Sequence, residues 1–129
     1  MKKSFAILAL LALIATPALA EKLTGYVSDA QCATSSAKAA KATDWINPKA
    51  FESCAQKCVK NGSPMVFVTE DNKILKLDAD STQKATAHLG HRVSVEGKIE
   101  NGTLKIDKIA TIKMATQAKP DNHQEENMH

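Results

Sequence analysis

Apolar and polar residues alternate along several short segments of the chain, and these segments are predicted to be strands. Alternation, or a short apolar run between turn residues, is typical of strands that face a core. The segments that fit are 23–28, 65–69, 73–77, 92–99 and a last one that begins at Leu104. Asn101-Gly102 is a strong signal for a hairpin turn between the last two strands. The apolar pattern changes phase near Asp107-Lys108, which predicts a bulge there.

A different periodicity, with apolar residues three or four positions apart, predicts a helix over about 48–60. Asn47 is the expected N-cap of this helix, and Gly62 is expected to stop it. The same periodicity places Cys54 and Cys58 on the face of the helix that is buried.

Two further segments complete the predicted elements. A short helix between the third and fourth strands is expected to have Asp80 or Ser81 as its cap and to end at Gly90. Residues 30–44 contain no periodic apolar stripe and are predicted to be a loop or a weak helix.

The order of these elements predicts the fold class. It is strand, helical insertion, strand, strand, short helix, strand, strand, which is the order of the OB-fold. We therefore expect a mainly β protein with some α structure. It would be an OB-like five-stranded barrel with a helical insertion between strands 1 and 2 and a short helix between strands 3 and 4. A small open α+β sheet with the same elements is the alternative.

The amino terminus has the three regions of a secretory signal peptide. Lys2 and Lys3 precede an apolar run over 5–15, and Ala18-Leu19-Ala20 is a small-x-small cleavage site. The apolar run is shorter than the roughly 20 residues that span a bilayer. We predict that residues 1–20 are cleaved and that the protein is exported, to the periplasm or as a secreted protein, without a transmembrane segment. Residues 21–115 would form the OB-like domain, and 116–129 a disordered polar tail.

Composition and charge argue against a nucleic-acid-binding protein, and the motifs of the sequence argue against an enzyme. The chain has 129 residues, 17 Lys+Arg and 14 Asp+Glu, and a formal net charge of +3. Two of these basic residues lie in the leader, so the remainder carries a net charge of only +1. A weak positive charge and few aromatic residues argue against nucleic-acid binding. The sequence contains no triad order, phosphate loop or His-Glu-x-x-His motif, so we predict that the protein is not an enzyme.

Three segments of the chain carry a family resemblance: Gly25-Tyr-Val-Ser-Asp-Ala-Gln-Cys32, Cys54-Ala-Gln-Lys-Cys-Val-Lys-Asn-Gly62 and His88-Leu-Gly-His-Arg-Val-Ser-Val-Glu-Gly97. They resemble a family of small exported bacterial proteins of uncharacterised function with a predicted OB-like fold. They contain a DxxC…CxxxC cysteine pattern. Many members of the family look like Cys-Gly-x-x-His at the first cysteine, whereas this chain has Ala33 and Ser36 at the glycine and histidine positions. The resemblance implies the fold and export, and no activity.

The three cysteines, Cys32, Cys54 and Cys58, allow two interpretations. Thiols in an oxidising compartment tend to pair. Helical residues four apart have Cβ atoms about 6 Å apart, whereas a disulfide needs about 3.8 Å. Cys32 would therefore pair with Cys54 or Cys58, and one buried thiol would remain. In the alternative, all three thiolates bind zinc or copper(I). The Cys-x-x-x-Cys spacing does not match the redox-active Cys-x-x-Cys motif.

Two histidines are further candidate metal ligands. His88 and His91 flank the end of the short helix, and imidazole suits zinc and copper. The simpler interpretation is that His88 interacts with the last carbonyls of its helix and that His91 begins a strand with one wet face.

These observations lead to two functional hypotheses. In the first, the protein is a monomeric, non-enzymatic exported binding module with no cofactor. It would be stabilised by a disulfide from Cys32 to Cys54 or Cys58, and it would recognise a small ligand or a protein partner. In the second, it is a periplasmic protein that binds or handles zinc or copper with Cys32, Cys54 and Cys58.

Overall fold

The computed structural model describes residues 20–114. The strands are β1 (Glu21–Asp29), β2 (Met65–Thr69), β3 (Ile74–Leu77), β4 (Arg92–Glu100) and β5 (Thr103–Thr111), and the helices are α1 (Ala30–Ser35), α2 (Phe51–Lys60) and α3 (Ala79–Ala85). Short 3-10 turns cover Ala42–Asp44 and Thr86–His88. The cleavage site and apolar run of the predicted leader, apart from residue 20 itself, and the predicted tail over 116–129 lie outside the described residues.

The five strands form one sheet that closes on itself. Hydrogen-bonded neighbours follow the order β1-β2-β3-β5-β4, and β4 pairs with β1 to complete the ring. All of these pairs are antiparallel except that of β3 with β5, which is parallel. The prediction of a mixed α and β protein with a five-stranded sheet and a few helices is confirmed.

The strand patterns seen in the sequence correspond to burial in the structure. Along β4, Val93 and Val95 are fully buried, and Arg92, Ser94 and Glu96 beside them are partly exposed. Inside the ring they join a core of apolar side chains from every strand, of which Phe67 is among the largest. Burying one large apolar side chain stabilises a fold by about 1.5–3 kcal/mol, so this core holds the ring together.

Two irregular features of the last hairpin are also confirmed. Asn101 and Gly102 both have positive φ, 52° and 76°, as a two-residue turn of type I′ requires. Glu96 pairs with Lys108 and the next residue of β4 pairs with Ile106, so Asp107 is the extra residue of a bulge.

The helical insertion begins earlier than the apolar pattern predicted. Asp29 ends β1, and its side chain accepts a hydrogen bond from the backbone N–H of Cys32, which caps α1 immediately after the strand. The segment 30–44, predicted to be a loop or a weak helix, therefore contains α1 and a 3-10 turn. A short side chain with a local hydrogen bond, rather than an apolar stripe, determines this helix.

Two predicted helix starts were wrong by a few residues. Asn47 caps a turn and not α2: its Oδ1 accepts from the Lys49 N–H at 2.9 Å, and α2 begins at Phe51. The cap of α3 is Asp78, which accepts from the Ser81 N–H at 2.8 Å. At α3 the hydrogen bond of a polar side chain decides the boundary. At α2 the N-cap is Ala50, which makes no side-chain cap hydrogen bond.

Candidate metal centre

Cys32 is positioned by a polar contact between the two helices of the insertion. Asp29, at the end of β1, is fully buried, and its Oδ2 accepts from the Cys32 backbone N–H at 3.0 Å and from the Ser63 hydroxyl at 3.1 Å. Ser63 follows α2, and its own N–H donates to the Cys58 carbonyl at 3.0 Å. The Ser63 Oγ also accepts from the Gln31 N–H at 3.0 Å. This network ties the start of α1 to the end of α2.

Cys54 and Cys58 lie one turn apart on α2, at the edge of its buried face. The residues that α2 buries are Phe51 and Ala55, and the Phe51 ring packs edge-on against Tyr26 with centroids 6.0 Å apart. Cys54 is exposed and Cys58 is half-buried, so the prediction that both are buried was wrong. The helix turns Phe51 and Ala55 towards the sheet, which leaves the two thiols facing α1.

The three thiols meet although Cys32 is far from the other two in the sequence. The Cys32 Sγ lies 3.6 Å from the Cys54 Sγ and 3.8 Å from the Cys58 Sγ. All three sulfurs lie within 4.8 Å of one another. None of these pairs is at the bond length of a disulfide, which is about 2.05 Å. In a tetrahedral site with Zn–S bonds of about 2.3 Å, neighbouring sulfurs are about 3.8 Å apart. The cluster therefore has the spacing that a thiolate metal site needs.

The surroundings of Cys32 favour its protonated form. Burial raises the pKa of Cys32 above its ordinary value, and the Asp29 carboxyl and the thiols of Cys54 and Cys58 raise this pKa further. In the metal-free protein the Cys32 thiol is therefore neutral at neutral pH. A thiolate must form before a metal can bind, so an incoming cation has to displace this proton.

Asp29 adds a second electrostatic feature to the centre. Within residues 20–114 its Oδ1 is buried and has no hydrogen-bond partner. A buried carboxylate oxygen that lacks a partner is costly.

A cleft of about 200 Å³ opens beside the thiols. Its lining includes Cys32, Cys54, Trp45 and Phe51, and none of its lining residues is charged. The Trp45 ring packs edge-on against Phe51 with centroids 6.1 Å apart. The cleft thus places an uncharged, partly aromatic surface next to two of the three sulfurs.

Asn72, in the turn between β2 and β3, holds one wall of this cleft. Its Oδ1 accepts from the Trp45 Nε1–H at 2.8 Å, and its Nδ2 donates to the carbonyls of Ser36 and Ala39, each at 2.9 Å. In the sequence, Asn72 lies between the predicted strands 65–69 and 73–77. Its φ of 63° lies in the left-handed region that Asn tolerates, but the long-range hydrogen bonds have no local signal.

The two candidate histidines are engaged elsewhere. His91 Nε2 lies 3.1 Å from Glu52 Oε2, and His88 Nδ1 lies 2.7 Å from Thr111 Oγ1. Among the described residues, the one group of three or more His, Cys, Asp or Glu side chains that could hold a metal consists of Cys32, Cys54 and Cys58. The structure does not bring the histidines into this group.

Within the described range, no helix has the length and apolar character needed to cross a membrane. Comparison of the chain with protein-family models, with curated proteins and with solved structures gave no match. The resemblance to an exported family therefore stays a prediction from the sequence.

Proposed function

We propose that this protein is a non-enzymatic metal-binding protein that holds one soft ion, zinc or copper(I), between α1 and α2. The ligands are Cys32, Cys54 and Cys58. The observation that carries this proposal is the convergence of the three sulfurs within 4.8 Å of one another. Thiolates are the ligands that zinc and copper(I) prefer.

Two features of the surroundings support the proposal. The Asp29 and Ser63 hydrogen bonds fix the two helices against each other, so the thiols are brought together before any ion arrives. The cleft lined by Cys32 and Cys54 gives an ion access to two of the three sulfurs.

We further propose that the domain is an OB-like barrel in an exported protein. The ring order β1-β2-β3-β5-β4, the parallel pairing of β3 with β5 and the position of α3 between β3 and β4 support the OB-like fold. The signal-peptide pattern of residues 1–20 supports export. The metal centre would then lie in the insertion that follows the first strand.

A disulfide-stabilised binding module is the second candidate. Cys32 has both other thiols within 3.8 Å, so a rotation of side chains and a small backbone shift would allow a bond to either one. In an oxidising compartment this would leave one free thiol. The cleft beside Cys32 would then be the site for a small ligand.

One purification distinguishes the two candidates. The mature protein is isolated from the exporting compartment without chelator, its metal content is measured by mass spectrometry, and its free thiols are counted after unfolding with and without reduction. The metal-binding proposal expects about one zinc or copper per chain and three thiols without reduction. One free thiol and no metal would support the disulfide and contradict the metal site.

Serine variants provide the matched test of the ligands. Cys32→Ser, Cys54→Ser and Cys58→Ser should each weaken metal binding by about tenfold or more. Ser53→Ala, on the exposed side of α2, is the control and should bind as the unmodified protein does. Unchanged affinity in all three cysteine variants would refute the proposed ligand set.

A further inference from the structure

Residues 20–114 supply three ligands to a bound zinc ion, which leaves one of its four coordination positions for a further ligand. This inference rests on the proposed function. We propose that the cleft beside the thiols admits an external thiol to the bound ion, so that zinc passes between this protein and a thiol-bearing carrier by direct ligand exchange.

The number of donors is the first argument. In the described part of the chain only three side chains converge on the site, whereas structural zinc sites are closed by four protein ligands. Asp29 is not counted as the fourth ligand, because its carboxyl does not belong to the group that converges within 4.8 Å. Sites with three protein ligands keep a position for an exchangeable ligand.

Access to the site is the second argument. The cleft of about 200 Å³ is bordered by Cys32 and Cys54 and not by Cys58. This volume is far above the roughly 10–15 Å³ that a single water molecule requires. Cys54 is exposed, whereas Cys32 and Cys58 are half-buried. A ligand in the cleft would therefore approach the ion from the side of Cys54.

The chemistry of the walls indicates the class of ligand. The lining is uncharged, and the side chains of Trp45, Phe51 and Ala50 give it an apolar part that suits the methylene group next to a thiol sulfur. A soft sulfur donor also matches the other three ligands of the ion. A thiol therefore suits this cleft better than a carboxylate, which would find no positive charge among the lining residues.

The exchange step conserves charge and oxidation state. The sulfur of the incoming thiol would bind at the fourth position of the ion and displace the water held there. The bond between the ion and the Cys54 sulfur would then break. The proton lost by the incoming thiol is taken up by the departing Cys54 thiolate. Cys32 and Cys58 would retain the ion until two further thiols replace them, each passing its proton to the thiolate that it displaces.

The rate of zinc transfer tests the inference. Zinc-loaded full-length mature protein is mixed with a chromophoric chelator at fixed concentration, and zinc release is followed while reduced glutathione is varied. We expect the rate to rise in proportion to glutathione, and S-methylglutathione, which has no thiol, to have no effect. A rate that does not depend on glutathione would overturn the inference and leave metal binding intact. A protein that binds no zinc would refute the proposed function itself.

A second arm distinguishes small thiols from protein thiols as the source of the ligand. A peptide with a Cys-x-x-Cys sequence replaces glutathione at equal thiol concentration. A faster exchange with the peptide would support a protein carrier, and a slower one would support a small thiol. No exchange with either compound would overturn the inference.

Filling the cleft provides the structural control. Ala50 lines the cleft and is exposed, so Ala50→Phe should slow thiol-dependent release by about tenfold, equivalent to about 1.4 kcal/mol in the barrier, at unchanged zinc affinity. Ser53→Phe adds the same side chain at an exposed position of α2 that does not line the cleft, and it should leave the rate unchanged. Equal rates in Ala50→Phe and Ser53→Phe would overturn the assignment of the cleft.

Discussion

Replacing Asn72 by alanine should destabilise the protein far more than a change in an ordinary turn. The side chain of Asn72 is 7% exposed and makes three hydrogen bonds, to the Trp45 indole and to the carbonyls of Ser36 and Ala39. Alanine removes all three of these contacts. It also places a residue that disfavours the left-handed region at a φ of 63°.

The expected magnitude follows from these two effects. Each hydrogen bond contributes about 1 kcal/mol to stability, so the contacts account for about 3 kcal/mol. The left-handed backbone adds about 1 kcal/mol for alanine. The free energy of unfolding should therefore fall by about 4 kcal/mol in Asn72→Ala, a large part of the roughly 5–15 kcal/mol that stabilises a typical domain.

Asn101 provides a matched control because it shares the backbone conformation without the contacts. Its φ is 52°, it is exposed in the turn between β4 and β5, and none of the side-chain hydrogen bonds found in the described residues involves it. Asn101→Ala should therefore lose only the backbone part, about 1 kcal/mol. Asn72→Gly isolates the other part, since glycine accepts this φ and loses only the hydrogen bonds.

Urea unfolding of the reduced, metal-free proteins measures these differences. Far-ultraviolet circular dichroism and the emission of Trp45, the one tryptophan of the chain, should give the same midpoint if unfolding is two-state. Removing metal keeps ligand binding from adding to the apparent stability. If Asn72→Ala and Asn101→Ala were equally destabilised, the hydrogen bonds of Asn72 would contribute nothing, and the argument would be wrong.

Three further predictions concern the thiol centre, the packing of α2 against Gly90 and the stability at low pH. Asp29→Asn keeps an oxygen that can cap α1 but removes the charge that helps to raise the pKa of Cys32. Iodoacetamide should therefore modify Cys32 faster in the reduced, metal-free variant than in the unmodified protein at about pH 8. Peptide mapping measures the rate of modification, and equal rates in the two proteins would contradict the prediction. Gly90 has a φ of 82°, and an added Cβ would lie 2.4 Å from the Glu52 Cα. Gly90→Ala should therefore displace α2 and lower the free energy of unfolding by about 2 kcal/mol or more. An unchanged midpoint of urea unfolding would contradict this prediction. The hydrogen bonds that Asp78 accepts at the start of α3 lower its pKa, so the stability that its carboxylate contributes is complete above the ordinary pKa and is lost as pH falls through the lowered one. The melting temperature of Asp78→Ala should therefore lie below that of the unmodified protein at neutral pH, and the difference should disappear below about pH 4. A difference that stays constant with pH would show that this carboxylate is not its cause.

The strands of this protein were predictable because their signals are local. Alternation along β4 matches the burial of Val93 and Val95, and the Asn101-Gly102 turn is determined by two residues that accept positive φ. The bulge at Asp107 followed from a change of phase in the apolar pattern. Each of these features depends on neighbours in the sequence, and a pattern of period two records them directly.

The metal centre was predictable only as a set of residue types. The sequence indicated three cysteines that could act together. It placed Cys54 on the buried face of α2, whereas the residue is exposed at the edge of that face. A helical stripe shows which residues share a face, and it does not show where that face ends. The position of the sheet against Phe51 and Ala55 sets this limit, and it leaves Cys54 exposed beside the cleft.

The sequence by itself determined the order of the strands along the chain, the hairpin turn and the three thiols, because periodicity and turn chemistry act over a few residues. Only the tertiary structure decided that Cys32 lies beside Cys54 and Cys58. It also decided that Asp29 and Ser63 connect α1 to α2, and that the Asn72 side chain holds Trp45 beside the cleft. These contacts join residues more than 20 positions apart in the chain. Contacts over such separations arise when the sheet closes and the insertion packs against it, and no local pattern records that closure.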